Sequence, residues 1–500
     1  MSGAGTAEAG TLAALQARHG ARYRWLLLLT VMVGTMASVM SSTVVNVAIP
    51  DLSRHFGLGQ ERAQWVTSGF MVAMTVSMLT TPWLLARLGY RRTYGLCMGL
   101  LLAGGVVGGL ANAFGLVLAA RVAEGLAAGV VQPIPAIIIL RAFAPEEQGR
   151  ASGLFGMGVV LAPALGPSVG GVLVDALGWR SIFFMVVPLC LLSLALARRY
   201  VPVTAPGGVA AGRSAGFDGV GLALASGATL ALLNGLVALH GGPRGEAAAL
   251  LGGAAASTLG FVLWQRRLLR RHAHPATQLP PAPPPLMNLR LFGHRPFAFG
   301  AIVAFIYGTA LFGSTYLLPV YMQMGLGLTP AFVGTILLPA GIVLAVAIAL
   351  VGRLADQQPT HRLVSFGLAL LAASFALMPT LGPASAIGWL MADAILGRIG
   401  LGFILPSLNL GAMRGLPHEL IPQGSSVINF MRMLGGAVGV SLCGIVLEWR
   451  LAAHGATLAQ PGPSAARLAA FDEVFILLAA LCALALVAAW QMRMRPQRGG

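Results

Sequence analysis

The chain alternates long apolar stretches with short polar ones, and the apolar stretches share a length. Counting runs of roughly 17–25 residues, enough helix to cross about 30 Å of hydrocarbon, gives fourteen segments. They lie near residues 25–48, 65–85, 94–112, 115–140, 152–174, 181–197, 219–239, 247–265, 297–319, 331–351, 363–380, 386–410, 425–447 and 472–492. The hydrocarbon offers backbone groups no water to bond, so each run is expected to be helical. The pattern predicts an all-α polytopic membrane protein.

Composition agrees. Of 500 residues, 57% are hydrophobic and only 9% charged, against about 25% charged in soluble domains. The net charge of +17 would point to nucleic acid in a soluble chain. Its placement points elsewhere. The chain has no lysine, and twenty-three of its 32 basic residues fall on alternate loops and tails, six on the opposite set and three (Arg121, Arg398, Arg432) within apolar segments. Arginine-rich loops stay in the cytoplasm, so both termini are expected there, with the lipid bilayer as partner and no nucleic acid. The first apolar run is too long for a signal-peptide core and reads as an uncleaved anchor.

Two linkers divide the chain. Residues 266–296 begin with an arginine cluster and continue into HPATQLPPAPPPLMNLRLFGHRP, whose prolines preset an extended spacer. Residues 201–216, VPVTAPGGVAAGRSAG, form a more flexible one. The expected organisation is a cytoplasmic tail (1–24), a six-helix bundle (25–200), a linker region carrying two inserted helices (201–296), a second six-helix bundle (297–492) and a short tail (493–500). The bundles read as repeats. Arg121 in the fourth segment and Arg398 in the twelfth are each followed by glycines (Gly125, Gly129; Gly400, Gly402) and a proline (Pro133; Pro406). The fifth segment has Gly158, Ala162, Gly166 and Gly170 at i, i+4 spacing, and the thirteenth has Gly435, Gly439 and Cys443. Such small-residue faces let helices approach closely in lipid. Pro163 and Pro167 are expected to add kinks, making the fifth segment a hinge beside Arg121 and Glu124.

These features carry a family resemblance. MSSTVVNVAIP (40–50), LLARLGYRR (84–92), RVAEGLAAG (121–129), GVVLAPALGPSVGG (158–171), WRSIFFMVVP (179–188) and MRMLGGAVGVSL (431–442) occur in order over roughly residues 25–495. Together they resemble the major facilitator superfamily and, within it, the fourteen-helix drug:proton antiporters of the EmrB/QacA type. The resemblance implies proton-driven export of amphipathic, cationic or neutral, compounds by alternating access in a bacterial cytoplasmic (inner) membrane, and raises a periplasmic adaptor as a candidate partner. It implies a gate and hinge at Arg87, Gly89, Arg91, Arg92, Asp356, Gly158, Pro163, Gly166, Pro167, Gly170 and Gly171. Three positions depart from its pattern: Ser41 stands where the family has a helix-one aspartate, Ala86 replaces an acidic or amide gate residue, and Glu124 replaces a glutamine.

The first and third departures together move the expected proton site to Glu124. A charge near the bilayer centre costs about 2.5–3.5 kcal/mol, so the Arg121–Glu124 pair is either a structural tie or a proton and substrate site. Asp393 is a second coupling candidate, read equally well as a water-exposed carboxylate at the mouth. Arg432 reads as a side chain snorkelling toward the cytoplasmic interface. Ser41, Thr43, Asn46, Gln132, Arg398 and Asn429 are the candidate substrate-cavity residues.

Other chemistry has no footing. Without lysine there is no phosphate-cradling G-x-x-x-x-G-K-[ST] loop, and no HExxH, CxxC or metal cluster occurs. The four cysteines each sit alone in an apolar run, as packing residues do. No cofactor, metal or enzymatic activity is expected. The alternatives to drug antiport are a dedicated exporter of one metabolite or lipid-like compound and, further off, a membrane sensor.

Overall fold

In the computed structural model, the described residues are 11–203, 216–241, 243–273, 283–457 and 464–493. Most of the flexible linker, the centre of the proline-rich loop and the ends of both tails therefore lie outside the described residues. The rest is mostly helical, with no strand among the described residues.

Among the described residues, fourteen helices follow the apolar runs in order. In the first half these are α1 (Tyr23–Phe56), α2 (Gln60–Ser77), α3 (Tyr90–Leu110), α4 (Phe114–Val131), α5 (Gln148–Leu177) and α6 (Val187–Tyr200). The inserted pair is α7 (Gly219–Gly241) and α8 (Arg244–Ala273). The second half supplies α9 (Arg295–Val320), α10 (Pro330–Gln357), α11 (Thr360–Leu377), α12 (Ile387–Met413), α13 (Ile421–Ala453) and α14 (Ala465–Gln491). Among the described residues, 13 helical stretches are long and apolar enough to cross a membrane. The remaining one, α5, is itself 30 residues long. Their outer faces carry large apolar side chains, including Leu177 at 72% exposure, Trp389 at 68% and Leu484 at 65%. In water that surface would be a liability; against lipid it is the ordinary solvent-facing side.

Prolines mark where helices are re-primed. Pro82 begins Thr81–Leu88, which continues α2 after a single 3-10 turn, and Pro135 begins Ile134–Ala142, which continues α4. Both sit in the first turn of the new stretch, where a missing N–H leaves no bond unmade. By contrast α5 runs as one helix through Pro163 and Pro167, whose side chains lie outside the described residues.

The chain forms two compact units, residues 1–226, 261–289 and 417–427 in one and 227–260, 290–416 and 428–500 in the other. In the first, α1 and α5 make a long contact through the small-residue face. A Cβ on Gly158 would lie 2.6 Å from Met32 Sδ, and one on Gly170 would lie 2.4 Å from Val44 Cγ2. Near one end of this unit Phe56, Phe114, Trp179 and Phe183 pack ring against ring, Phe56 edge to face with Phe114 and Trp179 with Phe183. The first unit also holds a polar knot that the sequence pattern does not reveal. Asp218, 2% exposed, accepts hydrogen bonds from Gly221 N (2.8 Å), Trp264 Nε1 (2.8 Å) and Gln265 Nε2 (2.7 Å). Gln265 Oε1 in turn accepts from Met287 N at 3.3 Å, so one carboxylate fastens the bases of α7 and α8 to the chain beyond the proline-rich loop.

In the second unit the α9–α13 contact is tighter still. A Cβ on Gly308 would lie 1.9 Å from Arg432 O, and one on Gly435 would lie 2.0 Å from Phe305 O. Thr309 Oγ1 donates to Gly435 O at 3.0 Å across the same seam.

Candidate functional site

The most buried ionic arrangement sits in the middle of the first unit. Arg121 and Glu124 are three residues apart on α4 and so share a face; each is 1% exposed. Arg121 Nη1 donates to Glu124 Oε2 at 2.5 Å and to Ser41 Oγ of α1 at 2.7 Å. Ser41 Oγ donates onward to the same Oε2 at 3.1 Å, closing a three-membered cycle. From α2, Val66 O accepts from Arg121 Nε at 3.3 Å and the Phe70 ring lies under the guanidinium at 4.2 Å. From α3, Gly104 gives Glu124 its room: a Cβ there would lie 2.4 Å from Glu124 Cγ. Arg121 Nη2 is buried with no hydrogen-bond partner. The cluster thus holds a neutralised pair with one guanidinium donor in reserve.

The fate of the other expected residues is mixed. Thr43 turns its hydroxyl back to its own helix, to Val39 O and Met40 O at 3.3 Å each, and fills the notch of Gly166 on α5. Asn46 is exposed on α1 and accepts from Thr67 Oγ1 of α2 at 3.0 Å. Gln132 is half-buried where α4 ends. Gly171 stands farther off than its neighbours, 4.0 Å from Val47 for a built Cβ.

In the segment expected to act as a gate, Gly89 has φ +77°, a left-handed conformation that L side chains rarely adopt, and a Cβ there would lie 2.5 Å from Val203 O. Arg91 donates from Nε to Val201 O at 2.7 Å and from its backbone N to Pro202 O at 3.2 Å. This loop therefore clasps the chain leaving α6. Arg87 lies over Trp83 at 5.8 Å, Arg92 is exposed, and Asp356 is half-buried at the end of α10.

In the second unit Asp393 is buried at 6% exposure, which separates it from the water-exposed alternative. Its Oδ2 accepts from Ser374 Oγ of α11 at 3.2 Å, and its Oδ1 is buried without a partner. Arg398 is half-buried on α12 and Arg432 on α13. Arg432 Nη2 donates to Asn429 Oδ1 at 2.9 Å. Because α13 begins at Ile421, Arg432 lies about 16 Å along it at 1.5 Å per residue, deeper than the expected snorkelling position.

Comparison with known proteins settles the family. The model of the Major Facilitator Superfamily matches residues 31–440. The chain belongs to that superfamily. This transporter is 30% identical over 441 residues to the multidrug resistance protein B homolog of Mycobacterium tuberculosis, covering 85% of this chain and 77% of the relative. It is 24% identical over 489 residues to the lincomycin resistance protein LmrB of Bacillus subtilis, covering 93% and 95%. Among solved structures it resembles the human organic anion transporter MFSD10 (TETRAN), with a TM-score of 0.62 and 16% identity over 93% of this chain and 99% of that one. The last likeness concerns the fold alone.

The sequence singled out Arg121, Glu124 and Ser41, and the structure brings them together. It could not show the roles of Val66 and Phe70, which are apolar residues in an apolar helix. Nor could it show Ser374, a serine without a motif.

Proposed function

We propose that this multi-pass transporter exports amphipathic small molecules across the cytoplasmic membrane in exchange for protons, with Glu124 as the proton carrier. The resistance proteins among its relatives support the cargo class. The observation that carries the coupling mechanism is the Arg121–Glu124–Ser41 cycle. A buried carboxyl holds its proton more or less firmly according to whether a guanidinium touches it. When Arg121 turns its nitrogens elsewhere, Glu124 takes up a proton; when Arg121 returns, the proton leaves. Ser41 supplies no second acid and so follows the pair without competing for the proton. Alternating access places the change of solvent exposure in the rocking of the two six-helix bundles, with the α1–α5 contact moving as part of the first. Both termini are cytoplasmic in this scheme.

The test is transport by inverted vesicles under an imposed pH gradient, across a panel of amphipathic dyes. Glu124→Gln keeps the shape and an acceptor oxygen but cannot cycle a proton. It should still bind dye and lose at least tenfold in gradient-driven accumulation, whereas Asp393→Asn should do less harm. Wild-type accumulation by Glu124→Gln together with loss in Asp393→Asn would move the coupling acid to α12.

A further inference from the structure

The two units treat their midplane arginines differently. Arg121 of α4 is matched by Arg398 of α12, 277 positions later, but the position 277 after Glu124 is Leu401, 1% exposed. The second repeat keeps the cation and lacks the acid. A second cation joins it from α13. Among the described residues Arg432 bonds only the neutral Asn429 through its side chain, and its Nε is buried without an acceptor. Among the described residues no carboxylate pairs with Arg398 or Arg432. Of the acids in this unit, Asp393 accepts from Ser374, and Glu473 pairs with Arg450 and His454.

The arginines are also close to one phenol. Tyr307 of α9, 2% exposed, stands within electrostatic reach of both guanidiniums. The glycine seam sets Gly308, the next residue of α9, against the backbone of Arg432. Arg398 and Arg432 each lie eleven residues from the start of their helices, and Tyr307 twelve from the start of α9. At 1.5 Å per residue all three sit about 16–18 Å along their helices, near the middle of a roughly 30 Å core. That depth is beyond the headgroup region. Unpaired charges are not retained there without a partner, and guanidinium nitrogens suit the two oxygens of a carboxylate or sulfonate.

We propose that Arg398 and Arg432, with Tyr307 beside them, bind an anionic group of the transported molecule, so that the cargo is an amphipathic organic acid. This deepens the export reading above, on which it rests for the word cargo, and replaces the cationic or neutral compounds expected from the sequence. The cargo supplies at the second repeat the negative charge that Glu124 supplies at the first.

The full-length protein in nanodiscs of zwitterionic lipid would be titrated with 11-(dansylamino)undecanoate, its methyl ester and a trimethylammonium analogue. The carboxylate should bind at least tenfold more tightly than the ester and the cation. Arg398→Gln and Arg432→Gln should each lower the carboxylate-to-ester affinity ratio at least tenfold, and Arg432→Lys should recover part of it. Equal affinity of wild-type protein for all three probes would overturn the proposal without recourse to any variant, as would an unchanged ratio in both glutamine variants. Competition by added phosphatidylglycerol would assign the arginines to a lipid anion and overturn the cargo assignment. Transport in vesicles separates this proposal from the one it rests on. Carboxylate that binds through the arginines but is not moved by a pH gradient leaves the anion site standing and refutes proton-driven export. Ester or cation moved by the gradient, with no preference for carboxylate, does the reverse.

Discussion

At the scale of single residues, the first unit shows how a charge is kept inside a membrane. Arg121 is surrounded by one acceptor of each kind: a carboxylate, a hydroxyl, a carbonyl and a ring face. Removing one partner from a buried pair costs about 3–5 kcal/mol in soluble proteins because the other charge is left bare. Ser41 offers a sharper test than deletion, since its Oγ already lies 2.7 Å from Arg121 Nη1. An aspartate there would meet the same nitrogen. Ser41→Asp combined with Glu124→Gln should therefore restore proton-driven accumulation to within about tenfold of wild type, measured in inverted vesicles; no recovery would mean that the acid must sit on α4. The Arg–Glu pair was legible from its i, i+3 spacing alone. Its third member was legible only as a departure from a pattern, because nothing local makes a serine on α1 the neighbour of an arginine 80 residues on.

At the scale of helices, glycine positions are not equivalent, and the structure ranks them. A Cβ on Gly166 would meet Thr43 Oγ1 at 2.9 Å, the tip of a side chain, while one on Gly308 would meet Arg432 O at 1.9 Å, which is backbone. A hydroxyl can rotate away. A helix carbonyl cannot, so the whole α9–α13 seam must open. Gly166→Ala should be tolerated within about 1 kcal/mol, and Gly308→Ala should destabilise by roughly 1–3 kcal/mol, the usual range for overpacking. Thermal melting of the purified protein in detergent would read the difference, and equal melting temperatures would refute the ranking. The sequence showed small residues recurring on both α5 and α13. It could not show that one seam touches side chains and the other backbone, since that depends on how closely two helices approach.

At the scale of the whole molecule, topology rests on arginine placement. Twenty-three of the 32 arginines fall on one set of loops and tails, and loop arginines resist translocation. A fluorescent reporter fused to the C-terminus should glow in intact cells, and a cysteine placed in the 381–386 loop between α11 and α12 should react with an impermeant thiol reagent from outside. A C-terminus that is dark in the cytoplasm and reactive outside would require an odd number of spans. The four native cysteines are all buried, so the engineered one reports with little background.

Much of this protein was fixed before any tertiary contact formed. The lengths of the apolar runs determined the helices, because hydrocarbon leaves the backbone no other way to satisfy its hydrogen bonds. The ordered motifs indicated the superfamily, and arginine placement indicated an orientation. Tertiary structure decided what the buried charges do. Arg121, Arg398 and Arg432 look alike in sequence, each an arginine in an apolar helix. Packing gives the first a carboxylate and, among the described residues, gives the other two none, since a partner for a side chain in mid-membrane must come from whichever residues folding brings alongside. The same holds for Asp218, which reads as a linker residue until Trp264 and Gln265 close over it.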